Sequence, residues 1–435
     1  MFRVLTSRYH GAYQARGKEL PFMGQLTFSL YTAIAAAGHP ATLHNEHYHG
    51  PFADDINDGD VVFVMVNPYN YRSAVELARN TRARGRDARF VGFAVCSFGN
   101  YLARRPDFDF PVLTDWPEAK AARLVEAVSA NFPAAEQFAA MVNRLNDEQS
   151  PAERVWSGVS AADYYGMHSP DAEYFALDPS VSSASLFTHR GCPVGCAYCP
   201  YFGVPLQRVD YDMIERNIGW ISDNLPGRRL NILDPTFNLG TPHCERVCSM
   251  ITSINPSLRW WSETVVLKDP PLERMAAAGM VATSIGIESG SPRIQKDILR
   301  KNVRLDLIPD VLRRCQDLGI RVQTLLMVGV PTETEEDLEM TKRIADIARK
   351  CGHILTVTGA YMIDGTVFGQ AAQETKESPG RIFEHGDNPY FPTEEIERRR
   401  AFILDTPPPD APIAPHRPNR FGWLRRFIPN TLRPE

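Results

Sequence analysis

The sequence has no apolar run of the ~18 residues that a membrane-spanning helix needs. Its opening residues, MFRVLTSRYHGAY, carry arginines with no leader-like apolar stretch behind them. It has no large charge excess of either sign: 47 Lys and Arg stand against 52 Asp and Glu, a formal charge of −5. That excludes the broad basic field of a dedicated nucleic-acid binder. No internal repeat is visible. What is present is ordinary core material, 43% hydrophobic, spread through periodic segments, which excludes disorder as the main state. These features imply a cytoplasmic protein of two or three domains, with neither nucleic acid nor membrane as partner. In a reducing cytosol, its eight cysteines read as metal ligands or buried thiols rather than as a disulfide framework.

Two series of alternating strands and helices run along the chain. In the first, FRVLT at 2–6, ATLH at 41–44, DVVFVMVN at 60–67 and DARFVGFAV at 87–95 read as strands, with helices over 24–37 and 71–84. DVVFVMVN is apolar throughout, the pattern of a strand covered on both faces. The alternation predicts a doubly wound parallel sheet of Rossmann type over residues 1–135. Residues 136–182 read as a helical linker. A second series follows, with strands over 183–189, 230–234, 260–267, 281–288, 321–328 and 355–362. These are about six βα units, short of the eight in a full TIM-type barrel, and predict an open, partial (β/α)6 barrel over 183–365. Residues 366–435 read as an irregular Pro-rich tail, because the prolines beyond residue 405 block regular structure.

The most informative segment is Arg190-Gly-Cys-Pro-Val-Gly-Cys-Ala-Tyr-Cys-Pro200. It sets Cys192, Cys196 and Cys199 as C-x₃-C-x₂-C on a loop just after the first strand of the second series. Thiolates select zinc or iron–sulfur. A closed zinc site wants a fourth ligand at a similarly compact spacing, and none is near. A cubane held by three cysteines leaves one iron open to substrate or a second cofactor. Cys244 and Cys248 repeat the C-x₃-C spacing within a helical pattern, where i,i+4 places both on one face, and read as buried core thiols. Cys315 and Cys351 read as core as well.

C-x₃-C-x₂-C with an aromatic residue, Tyr198, before its last cysteine, at the top of the first strand of a βα barrel, resembles the radical S-adenosylmethionine (SAM) superfamily. The resemblance runs over about residues 183–365 and implies a [4Fe–4S] cluster on Cys192, Cys196 and Cys199. SAM would bind the open iron and be split by one electron into methionine and a 5′-deoxyadenosyl radical. Asp234-Pro-Thr-Phe-Asn238 is similar to the family segment that meets the methionine group, through Asp234, Thr236 and Asn238. Ile285-Gly-Ile-Glu-Ser289 implies contacts of Glu288 and Ser289 with the SAM ribose and carboxylate. Val328-Gly-Val-Pro-Thr-Glu-Thr334 implies an adenine-holding backbone at Val328 and Val330. The alternative for Asp234 and Glu288 is helix capping.

The first domain resembles the cobalamin-binding-like domain that precedes the barrel in one radical SAM branch, on LTFSLYTAIAAAGHPATL and on DFDFPVLTDWPEAKAARLVEAV with its turn Asp115-Trp-Pro-Glu118. Cobalamin itself is disfavoured by the residues. Where many members carry small residues, this chain has Val66-Asn67-Pro68-Tyr69 and Cys96-Ser97-Phe98-Gly99. Phe98 is expected to crowd a corrin ring, since overpacking costs roughly 1–3 kcal/mol. Asn45-Glu-His47-Tyr-His49-Gly50 nearly matches a cobalt-ligating loop, but follows the wrong strand.

The resulting reading is a radical SAM enzyme that abstracts hydrogen from an unactivated C–H of a small natural-product substrate. It resembles the aminoglycoside radical diol dehydratase type, which removes a hydroxyl from an aminosugar in antibiotic biosynthesis. A cobalamin-dependent radical SAM C-methyltransferase is the alternative, and a non-catalytic metal-binding protein is a third reading. Glu263, Tyr201 and Tyr361 are the catalytic candidates by strand position. The implied electron source is a reductant such as flavodoxin or ferredoxin, or a partner reductase.

Overall fold

The structure is a computed structural model. It describes residues 1–7, 21–46, 52, 56–68, 70–105, 108–148, 155–167, 183–201, 204–301, 303–363, 365–373 and 388–405. The His47–Gly50 part of the cobalamin-loop lookalike and the proline-rich stretch after residue 405 lie outside the described residues.

The first series folds as a five-stranded sheet: β1 (Phe2–Thr6), β2 (Ala41–Asn45), β3 (Val61–Met65), β4 (Arg89–Phe93) and β5 (Val112–Leu113). Their order is β2-β1-β3-β4-β5 and every pairing is parallel. Helices α1 (Pro21–Ala36), α2 (Tyr71–Ala83), α3 (Ser97–Ala103), α4 (Pro117–Ala130) and α5 (Ala135–Asp147) accompany it. All five residues of β3 are buried. Val61, Phe63 and Met65 join one apolar cluster and Val62 and Val64 another, as two-sided helix cover requires.

The segment read as a helical linker is only partly so. Besides α5 and α6 (Ala161–Met167), it contributes the short strand β6 (Val155–Trp156). The rest of the chain contains β7 (Ser183–Leu186), β8 (His189–Arg190), β9 (Gln207–Val209), β10 (Arg229–Ile232), β11 (Trp260–Thr264), β12 (Met280–Glu288), β13 (Arg321–Val328) and β14 (Ile354–Gly359). β6, β9 and β8 form a separate small sheet. The pairing of β6 with β9 joins residues far apart in sequence, which local patterning does not report.

The other six strands form one parallel sheet in order β14-β13-β12-β11-β10-β7. Each neighbour follows the last in sequence, the winding of a barrel, and six strands leave it open. Helices α7 (Tyr211–Asn224), α8 (Thr241–Ile254), α9 (Leu272–Ala277), α10 (Ile308–Asp317) and α11 (Glu335–Lys350) connect the strands. Local chemistry sets two of their starts. Asp210 accepts the Asp212 N–H at the head of α7, and Thr334 and Asp337 form a capping box on α11. On their outer face the strands present Leu230, Ile232, Trp260, Ile285, Ile287, Val322, Leu326 and Val328 to the helix core.

The reading of residues 366–435 as irregular is corrected over its first part. α12 (Val367–Gln373) and α13 (Thr393–Leu404) are helices. The first turn of α13 carries Glu394 and Glu395, and its Glu–Arg pairs at i,i+3 and i,i+4 stabilise it. The proline signal belongs to residues farther on.

Candidate active site

The cysteine loop hangs between two anchors. At its start, Gly191 has φ +79°, and a Cβ there would lie 2.0 Å from the Pro205 carbonyl oxygen, so only glycine fits. The Cys192 N–H donates to the Val204 carbonyl at 3.1 Å and the Cys199 N–H to the Cys196 carbonyl at 3.2 Å. Farther along, the Ala197 N–H donates to Leu299 O at 2.9 Å, and Ala197 O accepts from the Phe368 N–H at 3.1 Å. Ala197 and Tyr198 pack with Leu299, Met327, Val330, Met362 and Phe368. The loop follows β7, one edge strand of the barrel sheet, by way of the short β8, yet rests on residues that follow β14, the other edge. It therefore bridges the C-terminal mouth of the open barrel.

Cys192 and Cys196 are buried and Cys199 is half-buried. Burial, reinforced by the other two thiols, pushes Cys199 up to about 12. Burial also raises Cys196, against the pull of Lys301. Tyr198 donates its hydroxyl to Glu288 Oε1 at 2.9 Å, and Lys301 Nζ reaches both, at 3.2 Å from the Tyr198 oxygen and 3.0 Å from Glu288. Glu288 ends β12 beside a register shift with φ +67°. That left-handed conformation is costly for a residue with a side chain. Glu288 holds Lys301 above its ordinary value despite burial, which alone would lower it. Lys301 was not foreseen. It lies beyond a short helical turn after β12, and nothing in its local sequence marks it.

The family model for the radical SAM superfamily matches residues 186–345. This is a radical SAM domain. Solved structures share its fold together with that of the preceding sheet. The cobalamin-dependent S-adenosylmethionine radical enzyme OxsB aligns over 92% of this chain and 65% of its own, with TM-score 0.64 at 12% identity. The radical S-adenosylmethionine methyltransferase TsrM from Kitasatospora setae, with cobalamin and a [4Fe–4S] cluster bound, aligns over 87% of this chain and 79% of its own, with TM-score 0.62 at 15% identity. An uncharacterised protein of Methanocaldococcus jannaschii is 23% identical over 68% of this chain and 66% of its own length. Cytidylyl-2-hydroxyethylphosphonate methyltransferase of Streptomyces wedmorensis is 21% identical over 38% of this chain. The chain thus spans just under two thirds of the first relative and 33% of the second.

Radical SAM domains use a [4Fe–4S] cluster and SAM, and the thiol-bearing loop fits that donor set. Among the described residues, no three Cys, His, Asp or Glu side chains are gathered tightly enough for a single metal ion. A cluster instead spreads its thiolates over different irons. Thiols driven up by burial need such a cationic centre to ionise.

The other expected SAM contacts of the radical SAM domain separate into two groups. Glu288 and Tyr198 meet, as described. Val330 is buried against the cysteine loop, while Val328 packs into the helix-side core, so only the backbone of this edge remains for a ligand. The side chains of Asp234, Asn238 and Ser289 are directed elsewhere. Asp234 accepts the N–H groups of Thr188 at 2.7 Å and His189 at 3.0 Å, and the Thr188 hydroxyl as well. It holds the ledge from which the cysteine loop departs. Asn238 clips the strand ends together, donating to Val265 O and accepting from Val265 N, each at 2.9 Å. Ser289 turns to Thr341 on α11 at 3.2 Å. Thr236 is buried, and its carbonyl pairs with His189 Nε2 at 3.0 Å. Asp234, Asn238 and Ser289 thus tie backbone and neighbouring elements together at the strand ends. Polar side chains at strand ends must satisfy nearby backbone groups once buried.

Of the catalytic candidates, Glu263 is half-buried on β11. It alternates with Trp260, Ser262 and Thr264 and so shares the inner face with Trp261. Tyr201 lies on the cysteine loop, where its N–H meets the Cys199 sulfur. Tyr361 follows β14. The three come from different segments around the same mouth.

The first domain docks beside the cysteine loop. Glu118 takes both Nη atoms of Arg190, at 2.5 and 2.9 Å, and accepts from Ser29 at 3.0 Å. Asp115 and Trp116, before α4, have φ +48° and +58°, and Arg190 lies 5.8 Å from the Trp116 ring. Phe98 is the main correction in this domain. It does not crowd an open edge but is 1% exposed, packed with Tyr71, Leu102 and Phe110 in the core. It follows Cys96 into α3 and turns inward with the helix. Gly99 beside it sits where a Cβ would fall 2.3 Å from Ala94 Cβ, which lets α3 lie close on the sheet.

Proposed function

We propose that this chain is a radical SAM enzyme that attacks an unactivated C–H bond of a small polar molecule. The contact of Tyr198 with Glu288 and Lys301 carries the reading, because it brings the cysteine loop and the end of the central strand β12 to one place. Cys192, Cys196 and Cys199 would hold the cluster, which when bound would supply the electron that splits SAM. Around it, Lys301 offers a buried cation to the SAM carboxylate. Glu288 offers an acceptor to the ribose. The backbone of Val328 to Val330 borders the adenine. Asp234 fixes the loop's departure point, and Tyr198 with its apolar neighbours excludes water. Glu263, Tyr201 and Tyr361 line the mouth toward substrate. The electron comes from a flavodoxin- or ferredoxin-type reductant.

The outcome that fits best is methyl transfer to carbon, with cobalamin as methyl carrier. The objection raised by Phe98 falls with its burial. Asn67, Cys96 and Asp115, at the C-terminal edge of the first sheet, would border the corrin. Relatives named as methyltransferases support the same reading. Radical dehydration of a hydroxylated substrate such as an aminosugar is the second reading. The polar inner wall favours it: Ser284 donates to Gln323 at 3.0 Å and Gln323 to Thr356 at 2.8 Å.

Anaerobic reconstitution with iron and sulfide, then incubation with SAM, dithionite or a flavodoxin-type reductant and candidate hydroxylated substrates, with and without cobalamin, followed by mass analysis of product, tests both. A methylated product formed only with cobalamin is expected. Loss of water from substrate without cobalamin moves the assignment to the dehydratase. No 5′-deoxyadenosine or methionine from SAM under any condition, with candidate substrates present, sinks the radical reading.

A further inference from the structure

The segment after the barrel grips the backbone proposed to hold adenine. Asn388 Nδ2 donates to Gly329 O at 2.8 Å and to Ala360 O at 3.2 Å. Its Oδ1 accepts the N–H groups of Tyr390 and Phe391, at 2.9 and 3.2 Å, so its own turn fixes the amide. On the other side, Glu333 Oε2 accepts the Gly329 N–H at 2.8 Å and Arg399 Nη1 at 3.0 Å. Both donor and acceptor of the Gly329 peptide region are thus held from outside the strand. Arg399 is spent on this contact. Its remaining nitrogens reach Glu335 at 3.0 Å and Glu395 at 2.7 Å, and its guanidinium lies 4.6 Å from the Phe391 ring.

Packing makes the grip close. Gly329 (φ +72°) follows β13 and Gly359 ends β14, and a Cβ on either would meet Ile396 of α13 at 3.1 or 3.0 Å. The helix lies on bare backbone there, and Arg400 Nε adds a bond to Val357 O at 3.1 Å.

We propose that Asn388 and α13, through Arg399, form a clamp that sets the adenosyl-binding edge of the SAM site, with Asn388 and Arg399 as positioning residues. This rests on the reading of Val328 to Val330 as that edge. A site held by backbone needs such outside support to keep its geometry, because the strand end alone leaves its last peptides unpaired.

The test uses the full-length, cluster-loaded protein and three probes: SAM, 5′-deoxyadenosine and methionine. Asn388→Ala and Arg399→Ala are expected to weaken SAM and 5′-deoxyadenosine by about tenfold, the effect of one or two lost hydrogen bonds. Methionine binding and iron content should stay as in the parent. Arg399→Lys should recover part of the loss. Asn388→Ala removes no charge and serves where Arg399→Ala fails to fold. Gly329→Ala, at φ +72° and against Ile396, strains the edge backbone directly. If it weakens SAM while Asn388→Ala and Arg399→Ala do not, the clamp is overturned and the edge reading stands. If none of the three changes SAM affinity, the edge reading itself fails. Equal weakening of methionine and 5′-deoxyadenosine would show general loosening and overturn the clamp.

Discussion

The two parallel sheets make opposite use of their faces. The first is apolar on both sides, with β3 buried at every position, and its order changes direction at β1, between β2 and β3. A sheet covered twice has no free face, and its chemistry can only sit at its C-terminal edge. The second keeps sequential order. Its outer face is apolar and its inner face carries Ser185, Asn231, Glu263, Ser284 and Gln323. Covered by helices on one side only, it curls and keeps a polar concavity. Pattern on two faces thus decides whether alternating strands and helices become a layered support or an open barrel. The supporting sheet meets the reactive one through Glu118 and Arg190.

The sharpest way to break this division of labour is at the cysteines. Replacing Cys192, Cys196 or Cys199 by Ala should abolish cluster binding and SAM cleavage, measured as iron content and 5′-deoxyadenosine. Cys244→Ala should leave both near the parent level. SAM cleavage surviving in the first three variants would remove the second sheet's claim to the chemistry.

Phe98→Ala tests the first sheet as a packed support. Truncating a buried phenylalanine should cost about 3–5 kcal/mol in urea unfolding. A cost near zero would return Phe98 to the edge where the sequence alone had placed it.

Glu118→Gln tests the junction. It leaves Arg190 buried without its counter-charge, and should cost about 3 kcal/mol. Burial would raise Glu118, but Arg190's charge outweighs it and holds the carboxyl below its ordinary value. The contribution is therefore present above the ordinary carboxylate value and is lost as pH falls below it, through the lowered folded value. Unchanged stability would mean that the domains do not depend on this pair.

A smaller effect belongs to Glu333, behind the barrel mouth. Burial raises its carboxyl from 4.5 to about 7, against the Gly329 N–H and Arg399. The folded protein then holds this proton more tightly than the unfolded chain. Stability should fall by roughly 1–3 kcal/mol as pH rises between those two values. Glu333→Gln should flatten that slope in melts followed across the range. A parent protein that gains stability there, with an identical slope in the variant, would refute the assignment.

Part of the candidate site is legible in the sequence. The cysteine spacing and the strand ends at Asp234, Glu288 and Val328 are local, and each appears where its strand finishes. Which way their side chains turn was not legible. Asp234 and Glu288 are both acidic residues closing a strand, yet one is tied into the Thr188–His189 backbone and the other faces Tyr198 and Lys301. The residues near each in sequence do not tell them apart.

The sequence by itself determined the two strand series, their face patterns and the loop that bears three thiols, because periodicity and ligand spacing are properties of neighbouring residues. Only the tertiary structure decided that Phe98 is core, that Lys301 joins Glu288, that Glu118 pairs with Arg190 across 72 residues of sequence, and that Arg399 reaches Glu333 across 66. The physical reason is common to all of them. A buried charge or a large side chain takes its place from whatever the packed fold brings beside it, and that partner is written nowhere near it in the chain.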